Sequence, residues 1–115
     1  MNGADLKRVH HILDAVQKAL QFIQNRTRED LDREEMLTLS LLKLTEFVGE
    51  AANKIFHSFR NQYPNIPWDR MIKMRNRLIH GYFDIELNII WKTILEDFPP
   101  LIPELERILK EDDAN

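Results

Sequence analysis

Leu37-Thr38-Leu39-Ser40-Leu41-Leu42-Lys43-Leu44-Thr45-Glu46-Phe47-Val48-Gly49-Glu50-Ala51-Ala52-Asn53-Lys54-Ile55-Phe56-His57-Ser58-Phe59 decides the fold class. Leu37, Leu41, Leu44, Val48, Ala52, Ile55 and Phe59 recur three or four apart, which lines them along one side of a helix. The spacing predicts one helix over Glu34–Phe59, stopped by the turn signal Asn61-Gln62-Tyr63-Pro64-Asn65. Toward the N-terminus, Leu6, Val9, Leu13, Val16, Leu20 and Ile23 repeat at the same period with Lys7, Arg8, Asp14 and Gln17 between them, a second amphipathic helix. Thr27-Arg28-Glu29-Asp30 resembles a capping box, in which a hydroxyl and an acid three residues on each take a free N–H. A short helical stretch is expected to start there.

Toward the C-terminus, Pro67 suits a first helical position, where its missing N–H has no partner to lose. A helix follows from Trp68 to about Ile79, with Gly81 as its stop and Phe83-Asp84-Ile85 as a link. Leu87, Ile90, Trp91, Ile94, Leu95 and Phe98 then form a last helical region that Pro99-Pro100 should interrupt. Pro100 or Pro103 opens a closing turn through Leu105 and Leu109, and Glu111-Asp112-Asp113-Ala114-Asn115 reads as a frayed acidic tail. There is no repeat, linker or alternating β-branched run. The prediction is a single all-α domain over residues 1–115, a bundle of four or five helices kept mostly antiparallel by short connections.

The chain has 115 residues, 43% apolar and 30% charged, enough for one core. Without cysteine it can form no disulfide and no thiolate metal site or nucleophile, which fits a reducing compartment. No uncharged apolar stretch approaches the ~20 residues of a membrane span, and the first residues lack a signal-peptide layout, so a soluble, cytoplasmic protein with no membrane contact is expected. Gly3, Gly49 and Gly81 are too scattered for a phosphate-cradling loop, and Ser40 and Ser58 lack the glycine-flanked turn of a nucleophile. His10 and His11 point to different sides of a helix, and His57 and His80 have no second histidine one turn away. Glu46 and Glu50 stand one turn apart as paired ligands would, yet a solvated stripe explains them more simply. Neither a metal nor a cofactor is expected.

Charge is the informative feature. Residues 68–82 hold Arg70, Lys73, Arg75 and Arg77 against Asp69 alone, a net of +3 in a chain of net −3, so the remainder carries −6. Such a concentration suits a nucleic-acid backbone, with Arg70, Lys73 and Arg77 as candidate RNA-phosphate contacts, although a solvated helix face has the same composition. Arginine offers a fixed fork of donors to phosphate oxygens and histidine titrates near neutral pH, so Arg75 and His80 together can stabilise developing charge and move a proton. A ribose 2′-hydroxyl can then attack its neighbouring phosphorus without a metal. Five residues place Arg75 and His80 roughly 140° apart around an ideal helix, whereas Asn76 and His80 lie about 40° apart. If the segment ends near His80, or if two copies meet across a two-fold axis, both side chains can line one cleft. Gly49 with Ala51 and Ala52 offers a close helix approach, across such a dimer or within one bundle, and the dimer is the favoured reading. Trp68 and Trp91 read as core or interface anchors, and Met36, Met71 and Met74 as gap fillers.

Arg75-Asn76-Arg77-Leu78-Ile79-His80 matches the arginine, four residues, histidine motif of HEPN-domain ribonucleases, and His80-Gly81-Tyr82 extends it to the histidine-x-tyrosine form of the HepT toxins. The resemblance takes in Gly49-Glu50-Ala51-Ala52, the turn Tyr63-Pro64-Asn65-Ile66-Pro67-Trp68 and the segment from Trp91 to Pro99. It implies an all-α, HEPN-type homodimer acting as a metal-independent endoribonuclease toxin of a type VII-like toxin-antitoxin system, cutting tRNA or mRNA in a cleft at the dimer interface. By the same resemblance Arg75 and His80 are catalytic, Asn76 is a polar helper, and Tyr82 is the site at which an MntA-like nucleotidyltransferase antitoxin attaches AMP. An added AMP would bring a phosphate and a base into a cleft built for both. The alternative is a non-catalytic helical module that uses the basic segment to hold a nucleotide or a nucleotidyltransferase.

Overall fold

The computed structural model describes residues 3–80 and 87–114, apart from the side chains of Ile79, His80, Asp113 and Ala114. All regular structure among them is helical: α1 (Gly3–Phe22), α2 (Asp30–Arg33), α3 (Glu35–Lys54), α4 (His57–Gln62), α5 (Trp68–His80), α6 (Leu87–Lys92), a π-helical turn (Thr93–Asp97) and α7 (Phe98–Ala114). The long helix α3 packs against α1 and against α5, and α7 closes on α1. Val9, Ile12 and Val16 of α1 meet Leu41, Val48 and Ala52 of α3, Ile90 and Ile94, and Phe98, Leu105 and Ile108 of α7 in one buried core. Each such large side chain contributes about 1.5–3 kcal/mol on leaving water, most of it offset by the entropy of ordering the chain. None of the described helices is long and apolar enough to cross a membrane.

Helix α1 forms where its periodicity places it, but the deepest line along it is Val9, Ile12, Val16, Ala19 and Ile23, with Leu6, Leu13 and Leu20 half-buried beside them. In the turn that follows it, Asn25 has a φ of 61°, the left-handed geometry that asparagine tolerates after a helix. In the predicted capping box, the Thr27 N–H donates to Asp30 Oδ2 at 2.7 Å, so the acid reaches back as expected. The cap position itself falls to Glu29.

The single helix expected over Glu34–Phe59 is two. Ile55 and Phe56 adopt extended backbone, with ψ of 136° and 145°, and separate α3 from α4. The apolar stripe crosses the break undisturbed, because Ile55 and Phe59 are both buried. The polar groups at the break explain it. Asp5 of α1, only 1% exposed, accepts the Phe56 N–H on Oδ1 at 3.3 Å and lies 3.7 Å from Arg8 Nη1, while Arg60 Nε donates to the Ile55 carbonyl at 3.2 Å. Asp5→Ala should therefore destabilise the fold by about 1 kcal/mol in a denaturant titration, the loss of one part-buried hydrogen bond. Asp5→Asn keeps the acceptor and should lose less. Equal stability of all three proteins would show that the break needs no such cap.

The turn into α5 is fixed from both sides. Trp68 Nε1 donates to the Tyr63 carbonyl at 3.0 Å, and the Met71 N–H closes the first helical bond onto the Pro67 carbonyl at 3.2 Å. Pro67 thus caps α5, one residue ahead of the first helical position expected for it. Tyr63 packs its ring on Phe59 and donates its hydroxyl to Glu111 Oε2 at 3.3 Å, tying the turn to α7. Burial, then the charge and hydrogen bond of Glu111, raise this phenol above its ordinary value.

Pro99 and Pro100 do not interrupt the C-terminal region. They lie in the first turn of α7, which runs on through Pro103 to Ala114, so the expected closing turn and frayed tail are one 17-residue helix. A proline ring crowds the carbonyl four residues back, here those of Leu95 and Glu96. Both belong to the wider π-helical turn, in which the Phe98 N–H reaches the Thr93 carbonyl, and that widening supplies the room. The predicted stop at Gly81 and the link through Phe83-Asp84-Ile85 lie outside the described residues.

Candidate functional site

Helix α5 turns Trp68, Met71 and Leu78 into the core and Arg70, Lys73, Asn76 and Arg77 toward solvent. The amphipathic pattern therefore does two things at once, anchoring the helix and displaying its cations. On the side facing α3 the two backbones nearly touch at Gly49. A Cβ there would fall 2.2 Å from Arg75 Cβ and 2.4 Å from the Met71 carbonyl oxygen, both well inside contact distance. The close approach favoured for a dimer interface is thus a contact within one bundle, between α3 and α5. Its immediate beneficiary is Arg75, whose stem rests on the glycine.

Arg75 is half-buried. Its Nη1 donates to Asn76 Oδ1 at 3.0 Å, whereas its Nε is buried with no hydrogen-bond partner among the described residues. A buried donor on a cation without an acceptor costs free energy. Asn76 is exposed and orients the guanidinium through that one bond. His80 is the last residue of α5; its side chain and the whole of Tyr82 lie outside the described residues.

The other predicted contacts separate into two kinds. Lys73 and Arg77 are exposed and have no carboxylate partner among the described residues. Arg70 instead pairs with Asp97 of the π-helical turn, Nη2 to Oδ2 at 3.0 Å, which spends part of its charge on bracing α5. Sequence reasoning had no signal for that partner, 27 residues away. It also missed the cavity of about 350 Å³ that Arg70, Met74 and Arg77 share with Thr93, Glu96 and Phe98.

The bland readings are largely what the fold displays. Glu46 and Glu50 pair along the surface of α3 with Lys43 at 3.5 Å and Lys54 at 3.9 Å. Trp68 and Met71 are buried, and Trp91 and Met74 pack on the core from its edge. Met36 is the exception, 85% exposed rather than filling a gap. With Leu39 and Phe47 it forms an apolar line on the solvent side of α3.

Sequence comparison finds relatives of the whole chain. The family model described as ribonuclease HepT-like matches residues 12–108. A probable ribonuclease HepT of Thermococcus cleftensis is 34% identical over 110 residues, covering 91% of this chain and 100% of that protein. A putative RNase of Methanocaldococcus jannaschii is 32% identical, with 92% and 98% covered, and one of Caldanaerobacter subterraneus is 31% identical, with 90% and 93% covered. No solved structure matches the chain.

Proposed function

The chain belongs to the ribonuclease HepT-like family, and from that premise we propose that it is a metal-independent endoribonuclease toxin whose cleft forms where two copies meet. The observation that carries this reading is Arg75, a half-buried guanidinium whose stem rests on Gly49 and whose Nη1 donates to Asn76. A phosphodiester oxygen is the acceptor that such a donor suits, most of all when charge builds on it in the transition state.

The chemistry needs little more. A 2′-oxygen attacks the adjacent phosphorus, the bond from phosphorus to the 5′-oxygen breaks, and a 2′,3′-cyclic phosphate is left. His80 accepts the proton of the 2′-hydroxyl and a protonated imidazole returns one to the 5′-oxygen, so protons balance without a metal. Arg75 holds the non-bridging oxygens, and Lys73, Arg77 and, more weakly, Arg70 draw in the flanking phosphates. The exposed line Met36, Leu39 and Phe47 supports pairing of two chains through α3. In the cytoplasm, attachment of AMP to Tyr82 by a nucleotidyltransferase antitoxin would then block the cleft with a phosphate and a base of its own.

Incubation of protein free of attached AMP with total cellular RNA in excess chelator tests the core of this reading. Fragments ending in cyclic phosphate are expected, with tRNA or mRNA as their source. Intact RNA beside a well-folded, unmodified dimer would overturn it in favour of a helical binding module.

A further inference from the structure

The cavity between α5 and the π-helical turn does not include Arg75, although Arg70 and Arg77, assigned above to flanking phosphates, line it. At about 350 Å³ it lies at the small end of ligand pockets, the size of one flat ring system rather than a whole oligonucleotide. Its walls are apolar: Met71 and Met74 from α5 and Phe98 from α7. Thioethers are soft and polarisable and favour contact with aromatic rings. Its rim is polar and is built by the π-helical turn, which contributes Thr93, Glu96 and Asp97 to the lining. Turns of this type recur at functional sites because an extra residue re-aims the side chains around it.

The charges on that rim are not equivalent. Arg70 is engaged by Asp97 at 3.0 Å and frames the opening, and Lys92 stands 3.9 Å from Glu96. Arg77 is the lining cation with no carboxylate partner among the described residues, and it sits three residues before His80 on the same helix. An apolar slot with a carboxylate at its edge and an arginine beside it matches a nucleotide, base inside and phosphate out. Glu96 accepts from N–H donors on the base edge, and guanine alone presents two adjacent ones on its Watson–Crick edge.

The geometry points to a base subsite: this cavity takes the base of a nucleotide flanking the cut bond, guanine foremost, with its phosphate on Arg77. The subsite rests on the ribonuclease reading for its place in the reaction, but nucleotide binding can be measured without cleavage. GMP, AMP, CMP and UMP are titrated into the full, unmodified chain and into Met74→Trp, Arg77→Ala and Glu96→Gln, followed by NMR or calorimetry. GMP should bind at least about fivefold tighter than the others. Met74→Trp should abolish binding by filling the slot, Arg77→Ala should weaken every nucleotide about tenfold, and Glu96→Gln should erase the preference for GMP. Glu96 and Arg77 are exposed, so their variants keep the test alive should Met74→Trp fail to fold.

Two outcomes would overturn the subsite: no nucleotide binds a chain that cleaves RNA, or binding and cleavage pattern are unmoved by Arg77→Ala and Glu96→Gln. A chain that binds GMP in this way yet leaves RNA intact would uphold the subsite and sink the ribonuclease reading instead.

Discussion

Arg75→Ala and His80→Ala are each expected to slow RNA cleavage by about 10²-fold or more while the fold and the proposed dimer persist. The two losses have different physical origins. In the proposed chemistry, removing the guanidinium takes away the donors that stabilise charge on the phosphorus-bound oxygens, and Arg75→Lys should recover little, because an ammonium keeps the charge without the fork. Removing the imidazole takes away the group that the proposed chemistry uses as its proton carrier. Circular dichroism and sedimentation, with a dimer near twice 13.7 kDa, would separate these losses from misfolding. Mixed dimers of the two variants go further. If Arg75 of one chain works with His80 of the other, as their opposed helical positions suggest, a dimer carrying one substitution per chain retains one intact site. Coexpressed variants should then regain a sizeable part of the wild-type rate. No recovery on mixing would confine each site to a single chain, and wild-type rates in either single variant would remove the proposed chemistry.

What was legible in the sequence is what depends on local period and local spacing. The helices containing Val9, Leu41 and Leu105 form because an apolar face every three or four residues has one good solution in water, burial against a like face. The break at Ile55 and Phe56 was not legible, since the apolar stripe runs through it and its cause, the Asp5 carboxylate, lies 51 residues away. Pro99 and Pro100 misled for a related reason: proline breaks an α-helix, but a π-helical turn just before it removes the clash. At the site, the cations of α5 and the spacing from Arg75 to His80 were visible as pattern. The contacts that make them unequal are tertiary, namely Asp97 on Arg70 and Gly49 under Arg75.

Gly49→Ala is expected to damage both stability and cleavage, and to do so more than its single methyl suggests. The new Cβ would meet Arg75 Cβ at 2.2 Å and the Met71 carbonyl oxygen at 2.4 Å. Neither can rotate away, because one is fixed to the α5 backbone and the other is part of it. Carbon atoms rest at about 3.5–4.0 Å, so α5 must retreat from α3 by roughly 1 Å. Overpacking of this kind costs about 1–3 kcal/mol, which in a domain of this size lowers the melting temperature by several degrees. The same retreat carries the Arg75 stem with it, and a misplacement near 1 Å at a reacting centre can cost about 10²-fold in rate. Gly3→Ala is the matched control, since a Cβ there meets nothing within 4 Å and the helix should gain slightly in propensity. Thermal melts and initial rates on the three proteins decide the matter. If Gly49→Ala melts and cleaves like the parent, the contact between α3 and α5 has slack, and Gly49 does not set the position of Arg75.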